Sequence, residues 1–250
     1  MKTGILLSVR EKATRLPGKV LKPLGDCSTV TEFLLKRLKS SKRADVVILS
    51  TSIDERDSVL CNIANQVDVK CFKGSEDDKL LRYRDTANEY DLDFVVIVDG
   101  DDPFVSVEHI DNIIQHAELS NDDYIIYDGL PLGATGFGLR VSALEKLCSG
   151  KDESDTEVWG HLFTQDDNYK CHSLLEEDKF YNKPQIRMTL DYPEDYEFFV
   201  AVMDKLRAAN GDASFRGIME VINSNPELTL INQHVQAKYE EHIKNSIITP

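Results

Sequence analysis

Arg10, Arg15 and Lys19 share one short run, Ser8-Val9-Arg10-Glu11-Lys12-Ala13-Thr14-Arg15-Leu16-Pro17-Gly18-Lys19. Guanidinium forks match pairs of phosphate oxygens, and an ammonium adds a compact point charge. Loop amides around a Pro-Gly turn supply further donors. The run is not the G-x-x-x-x-G-K-[ST] phosphate loop, because Ala13 and Val20 stand where that motif has Gly and Ser or Thr. A second segment, Val98-Asp99-Gly100-Asp101-Asp102-Pro103-Phe104, crowds three carboxylates after an apolar stretch. Magnesium is held by one or two carboxylates plus substrate phosphates, but the same pattern also makes an Asx-type acidic turn before Pro103. In a third, Thr189-Leu190-Asp191-Tyr192-Pro193-Glu194-Asp195, Asp191 could complete a metal site with Asp101. Glu194 and Asp195 fall in a first helical turn, where acids favour the helix dipole.

The elements that must position these groups alternate. Gly4–Val9, Asp45–Ser50, Val69–Phe72, Phe94–Val98 and Tyr124–Tyr127 read as apolar strands. Helix-period segments lie between them at Thr29–Lys39, Asp54–Asn65, Asp77–Tyr90 and Val107–Leu119. Such alternation implies an α/β fold with a mostly parallel sheet covered on both faces. Ligands then bind at the carboxyl ends of the strands, beyond Val9, Ser50 and Val98. Further on, Gly129–Gly138 reads as a glycine-rich loop, Ser142–Cys148 as a short helix and Asp152–Asp155 as a charged loop. Ile186–Leu190 reads as a strand. Helices follow at Glu194–Leu206, with Pro193 at its first position, and near Phe215–Asn223, before a polar tail.

Composition bounds the function. With 250 residues the chain suits one large α/β domain, and no apolar run reaches the length of a membrane span. The net charge of −15 argues against nucleic acid as a partner. That charge is uneven: residues 1–43 hold eleven Lys/Arg against three acids, which marks one local anion site inside an acidic protein. Cys27, Cys61, Cys71, Cys148 and Cys171 are odd in number, contain no C-x-x-C pair, and read as reduced thiols of a cytoplasmic protein. Trp159, His161 and Phe163 read as a packing or dimer-contact segment, and His109 and His116 as surface or core residues. Cys171-His172 lacks metal-ligand spacing in sequence.

Together the three charged segments resemble the CMP-sugar synthetases, the 3-deoxy-manno-octulosonate and acylneuraminate cytidylyltransferases. They come nearest the spore-coat polysaccharide cytidylyltransferase-like branch. Thr14–Lys19 (TRLPGK) is similar to that group's phosphate motif, Gly74–Tyr83 (GSEDDKLLRY) to its G-S-x-x-D-x-L-x-R-Y segment and Gly100–Pro103 to its G-D-x-P metal turn. Thr189–Asp195 matches its (T/V)-x-D-x-P-E-D motif, and Ile231-Asn232-Gln233 an Asn-containing stretch. The resemblance implies a single Rossmann-like nucleotide-diphospho-sugar transferase domain (GT-A-like) over residues 1–250, with a mixed, mostly parallel sheet. It implies CMP transfer from CTP to a hydroxyl of a sugar acid or analogous small acid, with release of pyrophosphate.

Carried over by residue, Arg10, Thr14, Arg15 and Lys19 hold the triphosphate, and Thr51, Ser52 and Arg82 approach the base. Asp101 and Asp191 bind Mg²⁺, and Arg15, Lys19, Asp101 and Asp191 form the catalytic set. Residues 129–183 become the acceptor pocket and the contact of a homodimer. Where branch members carry an acid after this pocket's G-x-P-x-G segment, this chain has Gly138-Leu139-Arg140, so Arg140 and Arg187 become candidates for a substrate carboxylate or phosphonate. Two other readings remain. Asp99-Gly100-Asp101 is also the D-x-D of a glycosyltransferase of related fold, and a paralogue could bind nucleotide without turnover. The TRLPGK loop argues against the first, since a sugar-nucleotide donor has no free triphosphate to grip.

Overall fold

The structure, a computed structural model, describes residues 1–151, 156 and 158–241. The expected acidic loop at Asp152–Asp155 and the end of the polar tail, from residue 242, lie outside the described residues. Seven strands form one sheet: β1 Thr3–Ser8, β2 Val46–Ser52, β3 Lys70–Gly74, β4 Phe94–Asp99, β5 Tyr124–Asp128, β6 Phe137–Arg140 and β7 Cys171–Leu175. Their spatial order is β3-β2-β1-β4-β6-β5-β7. Only β6 runs antiparallel to its neighbours. The chain is thus a single α/β domain with a mixed, mostly parallel sheet.

Alternation along the strands divides the core into two clusters. Ile5, Leu7, Val96 and Val98 face one side, against α1 (Val30–Leu38), α2 (Ser58–Gln66), α4 (Val107–Leu119), α7 (Pro193–Ala208) and α8 (Phe215–Ser224). Leu6, Val95 and Ile97 face the other, against α3 (Lys79–Glu89), α5 (Val141–Gly150) and the short α6 (His161–Thr164). Trp159 and Phe163 pack in that second cluster. Helix starts follow local chemistry. Thr29 Oγ1 accepts from Glu32 N ahead of α1, Asp78 caps α3, and Pro193 opens α7 at its first position. Among the described residues no helix is long and apolar enough to cross a membrane.

Three expectations change. Ile186–Leu190 forms only an isolated bridge, Arg187 with Leu132, outside the sheet: Met188 N donates to Leu132 O and Leu190 N to Asp101 O, so the segment ties a loop to the acidic turn. The expected glycine-rich loop ends in the first two residues of β6, where Gly138 packs so tightly that a Cβ would stand 2.6 Å from Ile113 and 2.7 Å from Phe94. Cys61 and Cys71 are joined in a disulfide rather than standing as separate thiols. The reason is the packing of α2 on β3, which sets their Cα atoms 5.4 Å apart, within bridging distance.

Candidate active site

The basic loop leaves β1 and is pinned by apolar side chains before and after its turn. Leu16, Val20 and Leu24 are buried in the core. Gly18 between them adopts φ 68°, a left-handed conformation that a side chain disfavours. With those anchors inside, Arg15 and Lys19 face a cleft of about 720 Å³ along the carboxyl ends of the parallel strands. Arg10, Lys12, Lys79 and Arg82 line the same cleft, as do Asp77, Asp99, Asp101, Asp102, Asp128 and Asp191. Basic and acidic side chains therefore share one lining.

At the centre, Lys19 Nζ donates to Asp101 Oδ2 (2.7 Å) and to Asp191 Oδ1 (3.0 Å). Arg15 Nη2 donates to the same Asp191 oxygen at 2.6 Å, while its buried Nη1 has no hydrogen-bond partner among the described residues. Burial works against the Lys19 ammonium, but Asp101 and Asp191 outweigh it and hold its pKa above the ordinary value. Burial likewise opposes Asp101 ionisation, and Lys19 overcomes it, so that carboxyl stays below its usual range. Asp102 has no such cation among the described residues, only the Thr189 hydroxyl. Burial, then the charges of Asp101 and Asp99, push its pKa well up. Carboxylate oxygens of Asp99, Asp101 and Asp102 lie within 4.8 Å of one another.

Asp191 is held by a buried scaffold. Arg187 Nη2 reaches its other oxygen at 3.0 Å and, with Nε, grips Asp195 through both carboxylate oxygens. Asp195 Oδ2 also accepts from Asp191 N and Tyr192 N, and Asn232 Nδ2 donates to Oδ1. This accounts for the Asp195 and Asn232 motifs: they fix Asp191 without entering the cleft. Tyr239 lines the cleft, with the Arg187 guanidinium 4.6 Å and that of Arg15 5.9 Å from its ring centroid.

A cytidylyltransferase family model matches residues 5–215, most of the chain. The chain belongs to the cytidylyltransferase family. It is 30% identical over 240 residues to the uncharacterised protein MJ1063 of Methanocaldococcus jannaschii, covering 95% of this chain and 97% of that one. It is 28% identical over 229 residues to the spore coat polysaccharide biosynthesis protein SpsF of Bacillus subtilis, covering 89% and 94%. A solved cytidylyltransferase from Leptospira borgpetersenii superposes with a TM-score of 0.82 at 28% identity, covering 92% of this chain and 97% of that one. This cytidylyltransferase is a CTP-dependent nucleotidyltransferase, and the glycosyltransferase reading of Asp99-Gly100-Asp101 falls away.

Of the residues assigned from sequence, the structure gathers Arg10, Thr14, Arg15, Lys19, Arg82, Asp101 and Asp191 around one cleft. It leaves out four. Thr51 and Ser52 are buried in β2 outside the cleft lining, and the Ser52 hydroxyl is taken up by Asp57 Oδ2. Arg187 is 2% exposed and committed to Asp195 and Asp191. Arg140 lies at the far end of the sheet: β6 runs antiparallel to β4, so Arg140 pairs with Phe94, at the start of β4, while the acidic turn follows its end. There it donates to Ala117 O, Ser120 O and Asp122 O, bracing the turn after α4. Arg140→Ala in the cytidylyltransferase should cost about 1–3 kcal/mol of stability in a denaturant melt and leave kcat/KM within about twofold of wild type.

Sequence reasoning missed Tyr127, Lys79 and Tyr239 as cleft residues. Lys79 sits inside the GSEDDKLLRY motif and could have been found there. Tyr239 carries no local signal, because only tertiary folding returns the C-terminal region to the cleft. Gly133 was read only as part of the glycine-rich loop. It adopts φ 82°, and a Cβ there would stand 2.6 Å from both Asp102 Oδ1 and Met188 O. Gly133→Ala is therefore expected to destabilise by about 1–3 kcal/mol and to lower kcat/KM by displacing Asp102, measured by melt and by pyrophosphate release.

Proposed function

We propose that this cytidylyltransferase transfers CMP from CTP to a hydroxyl of a sugar acid or analogous small acid, releasing pyrophosphate. The observation that carries this reading is the Lys19 ammonium lodged between Asp101 and Asp191, with Arg15 beside it. A cation already lies between these two oxygen donors, and the set is the hard carboxylate chemistry that Mg²⁺ prefers. Asp101 and Asp191 would hold the metal, with Asp99 and Asp102 at hand. When bound, the divalent cation neutralises triphosphate charge and lowers the pKa of the attacking hydroxyl.

The protein's own groups do the rest. Before CTP arrives the charges of Lys19 and Arg15 are matched by Asp101 and Asp191; on binding they exchange those carboxylates for phosphate oxygens and yield their place between the carboxylates to the metal. The buried Nη1 of Arg15 and Nε of Arg82, both without hydrogen-bond partners among the described residues, supply donors for oxygens of the nucleotide. Arg187 and Asp195 keep the Asp191 carboxylate aimed into the cleft. In-line attack at the α-phosphorus then depends mainly on positioning and charge neutralisation. The name of the SpsF relative, spore coat polysaccharide biosynthesis, supports a carbohydrate product, and residues 129–183 supply the acceptor wall and the contact of a homodimer in a cytoplasmic enzyme.

One observation favours a second acceptor class. With Arg140 and Arg187 elsewhere, the described wall from Tyr127 to Phe137, with Pro184, offers the cleft no cationic side chain. Tyr127, Asp128 and Thr135 instead present groups suited to hydroxyls. Pyrophosphate release should be measured with each of the four nucleoside triphosphates against sugar acids and matched neutral sugars or polyols. Turnover with CTP and an acid supports the first reading. Turnover with CTP and neutral acceptors alone replaces it with the second.

A further inference from the structure

The geometry points to a transition-metal site formed by His116, Asp122 and His172, which sequence spacing concealed. His116 lies in the last turn of α4, Asp122 in the turn that follows, and His172 on β7. Parallel pairing of β5 with β7 brings them together. Ile125 is the partner of His172 and packs in the α4 side of the core, so His172 takes that face. Its neighbour Cys171 pairs with Tyr124 and takes the opposite face, where its thiol donates to Phe163 O. His116 Nε2 is 2.7 Å from Asp122 Oδ2, and the rings of His116 and His172 stack with centroids 4.2 Å apart. One donor atom from each of the three residues lies within 4.8 Å of the others.

Two imidazoles and a carboxylate are a ligand set for Zn²⁺ and its neighbours, not for Mg²⁺. Bonds of about 2.0–2.2 Å to a tetrahedral ion set ligand atoms roughly 3.4 Å apart, so closure needs side-chain tips to move by about 1.5 Å. The carboxylate is already carried on a braced turn. Arg140 Nε holds Asp122 O, its Nη2 holds Ala117 O and Ser120 O, and Ser120 Oγ accepts from Asp122 N. His172 is exposed, which leaves the fourth position open to water. This cluster lies towards the start of β5, whereas Tyr127 and Asp128 at the other end of that strand line the nucleotide cleft. It is therefore separate from Asp101 and Asp191. Its effect would be to fasten β7, an outermost strand of the sheet, to the end of α4.

The test is titration of untagged, chelator-treated full chain with ZnCl₂ alone by equilibrium dialysis. Co²⁺ absorption reads the coordination, and thermal melts are run with and without Zn²⁺. One equivalent should bind, and His172→Ala should weaken binding by more than about tenfold, the lower bound of what even outer partners of a metal cost. Because His172 is exposed, that variant should melt like the metal-free wild type. Asp122→Asn should weaken binding as well, while Cys171→Ser keeps it and the four-coordinate Co²⁺ bands. No stoichiometric binding, binding that survives His172→Ala, or binding lost with Cys171→Ser would each overturn the assignment.

Discussion

Lys19→Ala lowers kcat/KM for pyrophosphate release by about 10²–10³-fold, the loss expected when one preorganised charge is removed from a developing anionic centre. The fold should persist. Asp191 keeps Arg15 and Arg187 as partners after the substitution, and the Asp101 side chain, 28% exposed, can be solvated. Asp101→Ala should lose activity on the same scale, again without a large change in melting. Steady-state kinetics beside circular-dichroism melts separate the two effects. Near-normal turnover in either variant would show that the loop and the acidic turn are not the reacting centre.

Arg187→Ala carries the largest expected cost in stability. The guanidinium is nearly sealed from solvent and is shared between two carboxylates that are themselves buried, Asp195 at 0% and Asp191 at 1% exposure. Removing it strands those charges, a loss of about 3–5 kcal/mol. For a domain of this size that is a fall in melting temperature of roughly 10 °C. Arg187→Lys should recover part of it, since the charge returns without the two-pronged grip on Asp195. Had Arg187 met the acceptor directly, truncation would instead raise the acceptor KM and leave the melt unchanged.

These two residues also mark what was legible in the sequence. The grouping of Arg10, Arg15, Lys19 and Asp101 at one cleft was readable because the chemistry is contiguous: the basic run follows one buried strand and the acidic turn another, and strand ends locate ligands in this kind of sheet. The place of Asp191 in the same cleft was readable from its motif. The function of Arg187 was not, because a positive charge four residues before Asp191 and eight before Asp195 looks the same whether it faces substrate or is consumed by those acids. Arg140 failed for a different reason. Its position depended on the direction of β6, and a four-residue strand of Phe-Gly-Leu-Arg carries too little pattern to reveal one. β7 escaped because it is an outermost strand whose Cys171, His172 and Ser173 are exposed, leaving no alternation to detect. The Cys61–Cys71 bridge and the meeting of His116 with His172 depend on helix–strand packing and on strand pairing, neither of which local spacing encodes.

Incubation with CTP radiolabelled at the α-phosphorus, with Mg²⁺ and the acceptor panel, tests the central claim most directly. The cleft built on Lys19, Asp101 and Asp191 predicts that label moves into a new CMP-linked product in step with pyrophosphate release, and that Lys19→Ala abolishes both. Label that stays in CTP with every acceptor, or that transfers equally well without Lys19, would contradict it.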